Sequence, residues 1–185
     1  MRLRCMMLEV GNLFPDVSYR SYDGTIKDLY AQIGQNPAAI LFLRYVGCTK
    51  CQLDIHQLLS HQKEIAEKGV QVFVVFQSAP STVRESLTDF PFEIICDPIQ
   101  ALYKRFDVLP AQTKEEFLDV AHFAEAHKAF QEKKQDLGLV HGAYEGDELQ
   151  RPAIFLLDAK KRIVYLHYAA SLMDMPPVES WLRRF

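Results

Sequence analysis

Cysteine is scarce in this sequence: Cys5, Cys48, Cys51 and Cys96 are the only four in 185 residues. That density excludes a small secreted scaffold held together by several disulfides. Cys5 and Cys96 sit in apolar surroundings and read as inert core thiols. No apolar run approaches the ~18 residues that cross a bilayer, so no membrane partner is expected. The opening residues 1–8 start basic and turn apolar, but Glu9, Gly11, Asn12 and Pro15 interrupt them. A full signal h-region and a cleavage site are lacking, so the opening reads as a first strand and the protein as cytoplasmic. A dominant charge is missing too: 21 Lys and Arg face 24 Asp and Glu, for a net charge of −3. With no basic stripe, nucleic acid is not expected as a main partner. Repeats, low-complexity tracts and a credible domain boundary are also absent. A hydrophobic content of 49% is enough for one substantial core, and the expectation is a single domain over residues 1–185.

Against this background one stretch stands out, Phe42-Leu43-Arg44-Tyr45-Val46-Gly47-Cys48-Thr49-Lys50-Cys51. The apolar run over 38–45 reads as a buried strand that ends at Gly47. A helical pattern follows, with Leu53, Leu58, Leu59 and Ile65 on one side. Strand, tight turn, two cysteines, helix: this order puts Cys48 at the positive end of a helix dipole, where unpaired amides favour a thiolate. A thiol so placed can drop from about 8.5 into the roughly 3.5–7.5 range. Cys51, one helical turn on, can reach back to it, which is the geometry of a disulfide that opens and closes. A Cys-x-x-Cys is also half of a zinc site. The second Cys-x-x-Cys or His-x-x-x-His that would complete four ligands is missing, and no metal is expected.

The rest of the chain alternates. Asp23-Gly24 is a turn signal, and 26–33 reads as a short helix. The cysteine helix runs to Gly69. Val70 to Phe76 is a nearly continuous β-branched and aromatic run, as central parallel strands are. A helix over 81–90, a strand over 92–96 and a helix over 99–106 complete a β-α-β-α-β-α order, which predicts an α/β sheet with helices on its faces. Thr113-Lys114-Glu115-Glu116 is a capping box opening one helix to about Lys134, with Phe117, Val120, Ala124 and Phe130 on its apolar face. This helix lies in an insertion over 110–150 that ends in a glycine-containing loop. Strands over 153–158 and 163–168 form a hairpin, and Pro177 begins a final helix.

The whole order resembles the thioredoxin fold, a central mixed β-sheet flanked by helices, here with an inserted helix before the C-terminal hairpin. Residues 42–51 are similar to the Arg-x-x-Gly-Cys-x-x-Cys segment of peroxiredoxin-like proteins, the group related to alkyl hydroperoxide reductase and thiol-specific antioxidant proteins. Asp97-Pro98 with Tyr103 and Phe106-Asp107-Val108 resembles a second family stretch, and residues 146–158 the approach to its late strand. The resemblance implies a thiol–disulfide oxidoreductase or thiol-dependent peroxidase. Cys48 would attack a peroxide or a substrate disulfide and Cys51 would resolve the intermediate. It implies no bound cofactor, an external thiol reductant such as thioredoxin, and for many relatives a homodimer. It gives substrate-binding places to Tyr45, Gly47, Thr49, Arg151 and Pro152, the last as a cis-proline facing the dithiol; a trans proline at a strand start is the plainer reading. The family's Pro-x-x-x-Thr-x-x-Cys is broken, with Leu41 at the proline and Tyr45 at the threonine position. Pro152 fills the arginine position, so Arg44 or Arg151 would have to supply the cation.

Other residues have ordinary readings. Lys50 adds a positive charge near the thiols or is a solvated lysine. Asp54, Glu64 and His56 read as exposed helix surface, His122 and His127 as residues that share no face, and His167 as an edge histidine. The alternative function is a non-catalytic thioredoxin-fold binding or redox-sensing module, with the inserted segment as its partner surface.

Overall fold

The computed structural model describes residues 8–185, so the expected N-terminal strand, apart from Leu8, and Cys5 lie outside the described residues. One mixed sheet of seven strands organises the chain. Its centre is β3 (Ala38–Phe42), β4 (Gln71–Phe76) and β5 (Glu93–Cys96), mutually parallel. β1 (Ser18–Ser21) and β2 (Ile26–Asp28) form an antiparallel hairpin on the β5 edge, and β6 (Ala153–Leu157) and β7 (Ile163–Tyr168) form another on the β3 side. The strand order is β2-β1-β5-β4-β3-β6-β7.

The central strands are apolar on both faces because both faces are covered. Alternate residues of β3 and β4 divide between two cores. Ala39, Leu41, Val72 and Val74 join Ile55, Leu58 and Trp181 on one side; Ile40, Phe42, Phe73 and Val75 join Phe14, Tyr103 and Phe155 on the other. The first side is covered by α2 (Thr49–Ser60), α3 (Gln62–Glu67), α4 (Pro80–Ser86) and α8 (Val178–Leu182), the second by α1 (Leu29–Ile33) and α5 (Ala101–Arg105). A third cluster ties α6 (Lys114–Leu118) and α7 (Ala124–Asp136) to Leu53 on α2 through Phe117 and Phe130.

Several boundaries differ from expectation. The helix expected over 26–33 is β2 followed by α1. Ile26, Lys27 and Asp28 pair with β1 across the Asp23-Gly24 turn, so a sheet edge claims them first. The cysteine helix breaks at His61 into α2 and α3. The helix expected over 81–90 stops at Ser86, because Leu87 leaves helical conformation at φ −126° and ψ 82° and Asp89 turns left-handed at φ 55°. The helix expected from Thr113 to Lys134 is two. Thr113 caps α6 as anticipated, but Asp119 takes a left-handed conformation at φ 40° and ends it, leaving Val120 exposed; short polar residues tolerate that region best. The peptide bond before Pro152 is trans, since none of the described bonds is cis. Pro152 therefore takes the plainer role, at the entrance to β6.

β3 leaves its ladder just before the dithiol, and Tyr103 guards that exit. Its hydroxyl lies 2.6 Å from Leu43 O and 2.9 Å from Val75 O, deep in the core. Tyr103→Phe keeps the ring and removes the only donor both carbonyls share. Urea unfolding should show a loss of about 1–3 kcal/mol, the cost of a buried acceptor left short of a partner. An unchanged midpoint would mean that the hydroxyl contributes nothing to holding β3 against β4.

Candidate active site

Beyond β3 the chain turns at Gly47 and enters α2. Cys48 is its N-cap, in extended conformation, and its sulfur accepts from the Cys51 amide at 3.5 Å. Cys51 Sγ in turn accepts from the Arg44 amide at 3.3 Å. Both thiols are free and buried, each about 2% exposed. Turn and helix thus place two sulfurs at the amide-rich end of a twelve-residue helix, where negative charge is favoured.

Arg44 supplies the cation. Its Nη1 lies 3.2 Å from Cys48 Sγ, while Nη2 donates to Tyr45 Oη at 3.3 Å and to the Glu148 carbonyl. The guanidinium lies over the rings of Tyr45 and Phe117, at 4.9 and 4.7 Å. Its Nε is buried with no hydrogen-bond partner among the described residues.

These surroundings split the two thiols. A hydrogen bond from the Cys51 thiol, helped by Arg44 and by the Cys51 and Lys50 amides, outweighs burial and holds Cys48 down to about 6. Burial, the donated hydrogen bond and the Cys48 charge push Cys51 well above the ordinary thiol value. Cys96, on β5, is pushed up to about 12, mainly by burial, in keeping with an inert core thiol.

Other expected residues fall differently. Tyr45 is fully buried at the site, and its hydroxyl is pushed upward, chiefly by burial. Thr49 is the first residue of α2. Gly47 faces a segment far along the chain: a Cβ there would stand 2.4 Å from Ala143 O. Arg151 turns away; its Nη1 pairs with Glu116 at 3.1 Å and its Nε donates to Leu109 O. The cation at the sulfur is therefore Arg44. Lys50 pairs with Asp54. Asp54 is not solvated surface, since its side chain is 13% exposed and burial raises its pKa against the pull of Lys50. His122 and His127 bond locally to Asp119 and Leu118 O, and His167 to Asp174. Among the described residues no group of three or more His, Cys, Asp or Glu could hold a metal ion.

Sequence reasoning missed His141. It lies in the loop before β6, its Nε2 is 3.2 Å from Tyr45 Oη, and its ring stacks on Tyr144. Nothing periodic marks it. A groove of about 630 Å³ lined by Ile65, Val72, Phe73 and Phe92 lies at the opposite end of the strands and is not part of this site.

Two outcomes follow from this geometry. Cys48 has its folded pKa lowered, to about 6 from an ordinary 9. Its thiolate therefore contributes stability that is complete above about pH 9 and is lost as pH falls through 6. Cys51, shifted the other way, keeps its proton in the folded state over that window. The unfolding free energy of reduced wild type minus that of Cys48→Ser should rise from pH 6 to 9, by at most about 1.4 kcal/mol per unit; a flat difference in urea titrations sinks the assignment. Gly47→Ala should push residues 142 and 143 off the site and speed amide hydrogen exchange at Gly142, whose N–H donates to Gly47 O at 2.8 Å. Unaltered protection there would show that the loop adjusts without lifting.

Comparison with known proteins places this site in context. The AhpC/TSA antioxidant enzyme family matches residues 57–171, more than half of the chain, beginning just past the dithiol. No curated protein matches the sequence. Among solved structures, peroxiredoxin 6 of Arenicola marina superposes with a TM-score of 0.66 at 11% identity, over 95% of this chain and 71% of its own. AhpC of Mycobacterium tuberculosis gives 0.65 at 14%, over 97% and 92%. A peroxiredoxin-like protein from Aquifex aeolicus gives 0.65 at 13%, over 97% and 86%. Such identities speak for the fold, a thioredoxin-like α/β architecture of the peroxiredoxin kind. With the family match over most of its length, the chain belongs to the AhpC/TSA antioxidant enzyme family and is a thiol-based oxidoreductase, either a thiol-dependent peroxidase or a thiol–disulfide exchange enzyme.

Proposed function

We propose that this protein reduces a small hydroperoxide with the Cys48–Cys51 dithiol. The observation that carries the reading is the Arg44 guanidinium 3.2 Å from Cys48 Sγ at the N-cap of α2. Cys48 thiolate attacks the nearer peroxide oxygen, the O–O bond breaks, and the alkoxide or hydroxide takes a proton and leaves. Cys48 is then a sulfenic acid. The Cys51 thiol attacks its sulfur, water departs, and a Cys48–Cys51 disulfide remains. The two electrons come from the dithiol, and two thiols of an external reductant, such as thioredoxin, restore it. The unpartnered Arg44 Nε–H is the donor left over for the oxygen that develops charge; a preorganised donor of this kind lowers the barrier. Arg44 stands in for the Arg missing from the family pattern. A thiol 2% exposed favours a small oxidant over a folded protein disulfide.

The same reading takes the chain as one domain with a helical insertion over 110–150, fastened by the cluster of Leu53, Phe117 and Phe130. Four cysteines, of which the described three are free, suit a reducing compartment such as the cytoplasm,, and no described helix is long and apolar enough to cross a membrane. A homodimer is the assembly the family resemblance suggests.

Stopped-flow mixing of reduced protein with hydrogen peroxide, with mass spectrometry to locate the product, tests the proposal. A Cys48–Cys51 disulfide formed at least about tenfold faster than a free thiol reacts supports the peroxidase. Fast oxidation by a disulfide substrate with slow oxidation by peroxide would replace it with an exchange enzyme. Slow reaction with both would leave the non-catalytic binding or redox-sensing module.

A further inference from the structure

Residues 139–148 cross the mouth of the dithiol as a strap. Its own bonds seat it: Gly142 N donates to Gly47 O at 2.8 Å, and Gln52 Nε2 donates to Val140 O at 3.0 Å. Glu145 accepts from Ser78 Oγ at 2.6 Å, and Asp147 N donates to Gln77 Oε1 at 2.7 Å. Two of its groups reach inward to the arginine. The Glu148 carbonyl accepts from Arg44 Nη2 directly, and His141 reaches it through Tyr45.

The hydrogen-bond inventory orders this chain in one direction. Gly142 O can only accept, so His141 Nδ1, 2.7 Å away, carries the proton,. With the ring hydrogen on Nδ1, Nε2 is left as the acceptor. Tyr45 has one hydrogen and gives it to His141 at 3.2 Å, so its oxygen is free to accept from Arg44 Nη2. With Nη2 held by Tyr45 and Glu148, Nη1 is aimed at Cys48. Without an acceptor at position 141, the buried Tyr45 hydrogen must turn elsewhere, and the oxygen no longer faces the guanidinium with its lone pairs free.

We propose that His141 is a positioning residue: by accepting a hydrogen bond from the Tyr45 hydroxyl it fixes Arg44 on Cys48, so that the thiolate is activated while the strap is seated. The inference rests on the reading of Cys48 as the reacting thiol. His141 touches no reacting atom and acts through two side chains. The alternative role, ring packing, is separable. The His141 ring lies 4.3 Å from Tyr144 and 5.8 Å from Tyr45 between centroids. His141→Phe keeps that packing and removes the acceptor, whereas His141→Gln restores an acceptor without the aromatic ring.

The test is a pH titration of the ultraviolet thiolate absorbance of the reduced full-length chain. Each protein is read as a difference against the same protein carrying Cys48→Ser. His141→Phe should raise the Cys48 midpoint by about half a unit, the size set by one ordinary hydrogen bond. Its reaction with hydrogen peroxide below that midpoint should slow about threefold in step, and His141→Gln should return both values towards wild type. An unmoved midpoint in His141→Phe overturns the proposal. So does an equal rise in both variants, which would make the ring and not the acceptor responsible. A wild-type midpoint at the ordinary thiol value would instead remove the reading of Cys48 itself, and the two failures are thereby told apart.

Discussion

A guanidinium buried against a sulfur governs this molecule. Arg44 is 6% exposed, and a charge taken out of water costs several kcal/mol unless it is paired and hydrogen-bonded. Its compensation comes from five directions: the Cys48 sulfur, the Tyr45 hydroxyl, the Glu148 carbonyl, and the faces of Tyr45 and Phe117. These groups belong to the exit of β3, the cap of α2, the helix α6 and the strap before β6. The sheet brings the first two together. The cluster of Leu53, Phe117 and Phe130 brings the others. The helices between β5 and β6 are thus more than a cover for a sheet face, since they carry part of the environment that lets a cation sit beside a thiol.

The same cation separates two chemically identical groups. Cys48 and Cys51 are one turn apart, yet one is pushed towards thiolate and the other away from it. The asymmetry arises from orientation. Cys48 stands at the cap with Arg44 and amide donors around it, whereas Cys51 is inside the first turn, donates to Cys48 and feels its charge. A dithiol that both attacks and resolves needs this division. The attacking sulfur must be charged at rest, and the second must keep its proton until the first has reacted.

How much of this was legible follows from what produces a periodic signal. β3, β4 and β5 are apolar runs covered on both faces, and such runs are readable without a partner in view. Cys48 and Cys51 are readable for a similar reason, because strand, turn and helix are contiguous there. The β1–β2 hairpin was missed because Ile26, Lys27 and Asp28 carry no strand pattern of their own and are recruited by an edge. The helix breaks at His61 and Asp119 rest on the backbone of one or two residues, which composition does not encode. Arg44 could be named only as one of two cations. What separates it from Arg151 is that Glu116, from a different element, captures the latter. His141 was invisible because its partner Tyr45 is 96 positions away, and nothing local in a glycine-containing loop marks a long-range acceptor.

The pairing of Arg44 with Cys48 also works in reverse. If the thiolate holds the cation in place, converting it to a neutral disulfide removes the one anion among the hydrogen-bond partners of Arg44. The Glu148 carbonyl and the Tyr45 hydroxyl remain, but neutral acceptors offset a buried charge less well than an anion does. Oxidation therefore leaves Arg44 resting on these two neutral acceptors and on the faces of Tyr45 and Phe117, so that the cation is offset chiefly by groups outside the dithiol.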